Sequence, residues 1–290
     1  MKLFDRMLQN DRINFALTNR IPRATLTRFM GWFSQIENPV IRDASIAVWK
    51  MFADLDLSDA RKKSFRSLHD CFTRELKPGS RPVDRRQDVM VSPCDAIVGA
   101  CGMIRHSTVV QAKGFPYSLD ELFTGSSLAA ELEGGTYVTL RLTSSMYHRF
   151  HAPHDCHVGR LTYVPGDVWN VNPPTLRSVE RVFCRNERAI VELQIMQTGQ
   201  RIVLVPVAAV LVASLRLNFI DVLLHLDYRG PREIACDADF AKGEEMGWFQ
   251  HGSTILVFAP AGFRLDEGVR EGTRICMGSP LVYLPSPLAV

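Results

Sequence analysis

From about residue 87 onward the chain is a succession of short apolar segments, and that rhythm constrains its fold more than any other feature. The segments "DVMVSPCDAIVGA", "TYVTLRLT", "HVGRLTYVPG", "AIVELQIM", "RIVLVPVAAVLVASLRL", "STILVFAP" and "PLVYL" are rich in Val and Ile and are separated by Gly, Pro, Asn or Asp. Segments of that length, composition and punctuation read as β-strands. One internal stretch, "SLDELFTGSSLAAEL" (118–132), reads as a helix. The expected fold class is therefore α+β, a β-rich body with helices at its N-terminal end. With 46% hydrophobic residues in a chain of 290, there is material for the core of one large domain, or of a domain with an appended segment.

That appended segment is amphipathic. Ile21, Leu26, Phe29, Met30, Trp32, Phe33 and Ile36, then Val40, Ile41, Ile46, Trp49 and Phe52, recur at spacings of three and four with Arg23, Arg28, Arg42 and Lys50 between them. The pattern predicts helices broken near Asn38-Pro39. Their tryptophans and phenylalanines suit a membrane interface, and an ordinary packed helix pair with a solvated basic face satisfies the same pattern. Downstream, residues 61–86 hold nine Lys or Arg against Asp70, Glu75 and Asp84, a local balance of +6 in a chain whose net charge is +3. Such a concentration attracts an anionic surface; nucleic acid is not expected, because no recognised binding motif accompanies it.

Seven cysteines, an odd number without a C-x-x-C pair, argue against a disulfide framework or structural zinc and for a reducing compartment. The first thirty residues carry charges throughout, unlike a secretory signal. The longest apolar run, Ile202 to Leu215, is fourteen residues long with Pro206 inside it, too short to span a bilayer as a helix.

Three places in the body can carry chemistry. In "YHRFHAPHDCH", His148, His151, His154 and His157 are each three apart. That period matches no strand face and Pro153 breaks any helix, so a metal site is not expected, whereas a histidine at a strand end can serve as a general base. In "SPCDAIV", Asp95 follows Pro93 at a strand start, an ordinary place for a turn residue. In "WFQHGSTILVFAP", Gly252-Ser253-Thr254 precedes an apolar strand, which by itself reads as a turn. Asp, His and Ser are the components of a nucleophile triad. The absence of a G-x-S-x-G elbow disfavours an α/β-hydrolase.

The ordered series "LKPGSRP" (76–82), "SPCDAIV" (92–98), "QAKGFPYSLDELF" (111–123), "YHRFHAP" (147–153), "VPGDVWNVNP" (164–173), "RNERAIV" (185–191) and "KGEEMGWFQHGST" (242–254) resembles the phosphatidylserine decarboxylases of the bacterial proenzyme type. The resemblance implies that Ser253 attacks the Gly252 carbonyl, that the chain is cut between them into a large chain, 1–252, and a small chain, 253–290, and that Ser253 becomes a pyruvoyl group. Glycine suits that position, since no side chain obstructs its carbonyl. It further implies a triad of Asp95, His151 and Ser253, with His151 deprotonating the Ser253 hydroxyl and Asp95 orienting and stabilising the imidazolium. The pyruvoyl ketone would condense with the substrate amine as an imine and act as an electron sink, with no external cofactor and no metal.

On this resemblance residues 61–290 form the decarboxylase domain and residues 1–60 a membrane-associating helical segment. The partners are phosphatidylserine, an anionic membrane surface and the two chains of the proenzyme, with a homo-oligomer allowed, at the cytoplasmic face of the membrane. His148 is the candidate for substrate contact or proton return, or else structures its loop. Two departures stand out: Met146 where many relatives carry an acidic residue, and His251 where Leu commonly precedes the Gly-Ser-Thr step. A pyruvoyl decarboxylase of a soluble amino acid and a non-catalytic lipid-binding homologue are the alternatives.

Overall fold

The computed structural model describes residues 15, 22–112, 115–211, 214–250 and 254–285. Its frame is an eight-stranded antiparallel sheet in the order Glu233–Phe240, Cys156–Val164, Arg188–Ile195, Arg201–Val207, Thr254–Ala259, Thr136–Arg141, Ala96–Met103 and Arg274–Ile275. Thr254–Ala259 is hydrogen-bonded on both edges and buried at every position. A strand covered on both faces needs apolar residues throughout, which is why "TILVFA" does not alternate. Phe258 from this strand meets Phe123 edge to face with ring centroids 5.3 Å apart.

A second antiparallel sheet has the order Leu223–His225, Ser214–Leu217, Glu245–Phe249 and Arg149–His151. A third joins Val89–Val91, Pro280–Tyr283 and Arg264–Leu265. The chain therefore leaves one sheet at Phe249 and enters the centre of the large one at Thr254. The Gly252-Ser253 step falls in that crossing, outside the described residues.

The N-terminal helices are α1 (Arg23–Phe33), α2 (Pro39–Phe52) and the short α3 (Leu68–Phe72). Asn38 caps α2, its side-chain oxygen accepting from the N–H groups of Val40 and Ile41, and Pro39 occupies the first turn where its missing N–H costs nothing. α1 is latched to the body at several points. Arg23 pairs with Asp167 at 2.6 Å and lies 3.7 Å over the Trp169 ring, Arg28 pairs with Asp227, and the Thr27 hydroxyl accepts from the Leu211 N–H. In α2 no residue is fully buried, and Trp49 stacks on Phe72 of α3.

The helix expected over 118–132 is two single turns, Leu119–Leu122 and Leu128–Glu131. Thr124 and Gly125 between them take left-handed backbone angles, with φ of 56° and 79°, and the Gly125 N–H turns back to the Asp120 carbonyl. That is a helix stop inside a sequence whose apolar spacing continues across it.

Candidate active site

His151 ends its strand with 7% of its surface exposed. Its Nδ1 is 2.9 Å from the carbonyl oxygen of Gly243, and a carbonyl only accepts, so Nδ1 carries the proton and Nε2 the lone pair. The Tyr147 hydroxyl lies 3.0 Å from Nε2. Burial pushes the imidazole pKa below its usual value, against the Gly243 hydrogen bond and the fields of Glu245 and Asp95, which raise it. At neutral pH the side chain is an uncharged base.

Gly243 has φ of +83°, and a Cβ there would stand 2.7 Å from a Val83 methyl. Gly278, at +86°, is as tight against the Pro82 carbonyl, 2.5 Å from where its Cβ would be. The 82–83 segment is thus gripped between two glycine turns. Next to it Arg81 engages Asp95 with Nε and Nη2, at 2.9 and 2.7 Å. Asp95, 5% exposed, also accepts the backbone N–H of Met277 at 2.9 Å. The hydrogen-bonded Asp95 carboxyl group holds the Arg81 guanidinium above its ordinary pKa.

Asp95 thus acts on His151 through space, its oxygens being committed to Arg81 and Met277. The backbone joins the two more directly, since the His151 N–H donates to the Pro93 carbonyl at 2.8 Å. Arg81, Tyr147 and the Gly243 carbonyl did not stand out in the sequence, although "LKPGSRP", "YHRFH" and "KGEEMG" contain them.

The four histidines separate. His148 is buried, its Nδ1 2.8 Å from the Met146 carbonyl and its ring on Phe72 at 4.0 Å between centroids. His154 is fixed by the Gln87 carbonyl, and His157 pairs with Asp239 on the surface. No metal-binding cluster forms among the described residues. Met146 is buried, with its sulfur accepting from the Thr143 N–H at 3.4 Å. His251 lies outside the described residues, as do Gly252 and Ser253.

Between α1, α2 and the body lies an open cavity of about 920 Å³. Phe33, Val48, Trp49, Phe52 and Phe72 give it apolar walls, and Arg141, Thr143, Asn170 and Asn172 add polar groups where it meets the large sheet. Arg141, which lines the cavity, is the register partner of Thr254, so the cavity reaches the strand next to the one that begins directly after Ser253. The motif "RNERAIV" builds the adjoining wall. Asn186 bonds both the N–H and the carbonyl of Trp169 and also the Ala208 carbonyl, while Arg188 donates to the carbonyls of Leu122, Cys184 and Asn186.

The β-rich α+β body carries a large apolar cavity with a polar end and, at a strand end, a buried imidazole whose Nδ1 is held by a carbonyl, the fittings of an enzyme that handles amphipathic molecules. Comparison with known proteins is more specific. Residues 68–283 match the family model described as phosphatidylserine decarboxylase. The phosphatidylserine decarboxylase proenzyme of Aliivibrio fischeri is 32% identical over 292 residues, covering 95% of this chain and 99% of the relative. That of Shewanella amazonensis is 33% identical over 291 residues, covering 94% and 99%. That of Chromobacterium violaceum is 37% identical over 262 residues, covering 86% and 90%. The chain belongs to the phosphatidylserine decarboxylase family.

Proposed function

We propose that the chain is a proenzyme that cuts itself between Gly252 and Ser253 and then converts phosphatidylserine to phosphatidylethanolamine and CO2. The observation that carries this reading is the apolar cavity whose polar end includes Arg141, the register partner of Thr254. Its size and walls suit acyl chains, and its polar end suits a headgroup. A free amino acid would leave most of it unfilled, which disfavours the soluble-substrate alternative.

In self-cleavage, Nε2 of His151 takes the proton of the Ser253 hydroxyl as the oxygen attacks the Gly252 carbonyl; Gly243 fixes the tautomer in which Nε2 is the acceptor, and the Ser253 hydroxyl takes the place that the Tyr147 hydroxyl holds on it. The negative field of Asp95 favours the imidazolium that results. The pyruvoyl group left at Ser253 supplies the electron sink for loss of CO2. His148, one aromatic layer behind the cavity wall at Phe72, is the candidate for substrate contact or proton return.

We place the protein on a membrane surface through α1 and α2, within the segment 1–60. No helix among the described residues is long and apolar enough to cross a bilayer. Yet Trp32 is 64% exposed, Phe52 66% and Val40 78%, exposed apolar side chains on α1 and α2 of which Phe52 also lines the cavity. The basic stretch contributes less than its charge suggests, because Arg74 is buried against the Ser145 and Met146 carbonyls and Arg81 against Asp95.

The first test is intact mass of the purified protein beside Ser253→Ala. Two chains meeting at 252/253, the smaller one lighter by ammonia than a serine-started peptide and missing from the variant, are expected. A single uncut chain in both folded samples refutes self-processing and favours the non-catalytic lipid binder.

A further inference from the structure

Among the described residues, most inward arginines are bound to a carboxylate or to backbone carbonyls. Arg74 and Arg188 donate to backbone carbonyls, Arg81 to Asp95 and Asp59, and Arg149 to Glu245. Arg141 is half-buried and lines the lipid cavity, and among the described residues no carboxylate forms an ion pair with it. The charged neighbour that acts on it is Arg177, a second cation, so burial and like charge both lower its pKa. A guanidinium desolvated without a counter-charge is costly, and an anion entering the cavity would relieve that cost.

We propose that Arg141 is the residue that binds the phosphodiester of the lipid substrate and so sets the distance from headgroup to reacting centre. The proposal rests on the reading of the cavity as the substrate site. Arg141 pairs in register with Thr254 on one side and Ile97 on the other, which places it one strand from the residue that follows Ser253. In the substrate only the atoms N–Cα–Cβ–O–P separate the amine from the phosphorus, a span that fits adjacent strands. The planar guanidinium fork matches a pair of phosphate oxygens. The substrate carboxylate is the poorer match. It must surrender its charge as CO2 departs, and a cation paired with it would hold the ground state back, whereas the phosphodiester stays anionic throughout. Thr143, Asn170 and Asn172 stand on the same cavity wall.

The test uses the full chain, with Arg141→Gln and Arg141→Lys, in two readouts. The first is titration of tryptophan fluorescence with dihexanoyl phosphatidylglycerol, which carries the phosphodiester and no amine. Binding weaker by about 10- to 100-fold in Arg141→Gln, partly recovered in Arg141→Lys, is expected at unchanged melting temperature. Equal affinity in wild type and Arg141→Gln overturns the proposal. The second is decarboxylation of phosphatidylserine in neutral mixed micelles, where Arg141→Gln raises KM by a similar factor while kcat stays within about threefold. A fall in kcat at constant KM overturns it as well. If wild type binds the probe through Arg141 but neither cuts itself nor releases CO2, the decarboxylase reading falls and the phosphodiester site stands.

Discussion

Nδ1 of His151 donates to the Gly243 carbonyl at 2.9 Å, and this contact decides which nitrogen of the ring can act as base. The carbonyl is aimed by a backbone angle that glycine adopts cheaply, in a pocket where Val83 leaves no room for a Cβ. The tautomer of the base is thus set by main-chain geometry, with the Asp95 carboxylate acting at longer range.

The pH dependence of self-cleavage follows from that burial. The proposed reaction needs neutral His151, and its pKa is lowered, so the neutral form persists below the ordinary imidazole value of 6.5. The rate, read from the ratio of cut to uncut chain in freshly translated proenzyme, should hold its plateau at pH 8 and fall to half at a pH below 6.5. A half-maximal point at or above 6.5 would contradict the assignment.

Asp95 and Arg81 should behave as one unit. Asp95→Asn leaves a partly buried guanidinium with only Asp59 as its ionic partner, and Arg81→Ala leaves a buried carboxylate supported by the Met277 N–H. Each single change should cost about 2–3 kcal/mol in urea unfolding and slow self-cleavage at least tenfold. The double variant should be little worse than either single one. Additive losses would show that the two side chains act separately.

Much of this arrangement was legible in the sequence, and the exceptions have physical reasons. Strands such as "TILVFA" and "RIVLVPV" were readable because burial on both faces demands continuous apolar residues. Pro153 told against all four histidines aligning on one helix, and in the fold His148, His154 and His157 bond to different partners. Arg81 was hidden because in a run of basic residues its charge reads as solvated surface, whereas the fold turns it onto Asp95. Arg141 was hidden as a lone cation in a strand pattern. The cavity belongs to no single segment: α1, α2 and loops near residues 143, 171 and 210 meet only in the folded chain.

Glu187 gives a stability prediction independent of catalysis. It is 3% exposed and accepts from the Tyr163 hydroxyl at 2.8 Å, and burial raises its pKa from 4.5 to about 7. The folded state therefore holds this proton more tightly than the unfolded state. The resulting stabilisation is fully present below pH 4.5 and is lost as pH rises to about 7, an effect on the order of 3 kcal/mol. Glu187→Gln should remove that slope from denaturation curves measured between pH 4.5 and 7.5. An unchanged slope would mean the carboxyl ionises normally.

His251 adjoins the proposed cleavage bond, yet on the proposed mechanism the base is His151, with its tautomer fixed. His251→Leu should therefore still process, at a rate within about threefold of wild type by time-resolved gel densitometry. An uncut His251→Leu chain would assign the second histidine a necessary part in cleavage.

The two chains should remain together after the cut. Thr254–Ala259 is hydrogen-bonded to Arg201–Val207 on one edge and Thr136–Arg141 on the other, with every residue buried. Beyond it, Arg274–Ile275 pairs with Ala96–Met103 and Pro280–Tyr283 with Val89–Val91. Removing the small chain would open the centre of the large sheet and strip Asp95 of the Met277 N–H, so dissociation and global unfolding should be one event. Native mass spectrometry should give the summed mass of both chains up to the melting transition, while denaturing conditions give two species. Release of the small chain well below that transition would show that its strands contribute far less to the sheet than their hydrogen bonding and burial require.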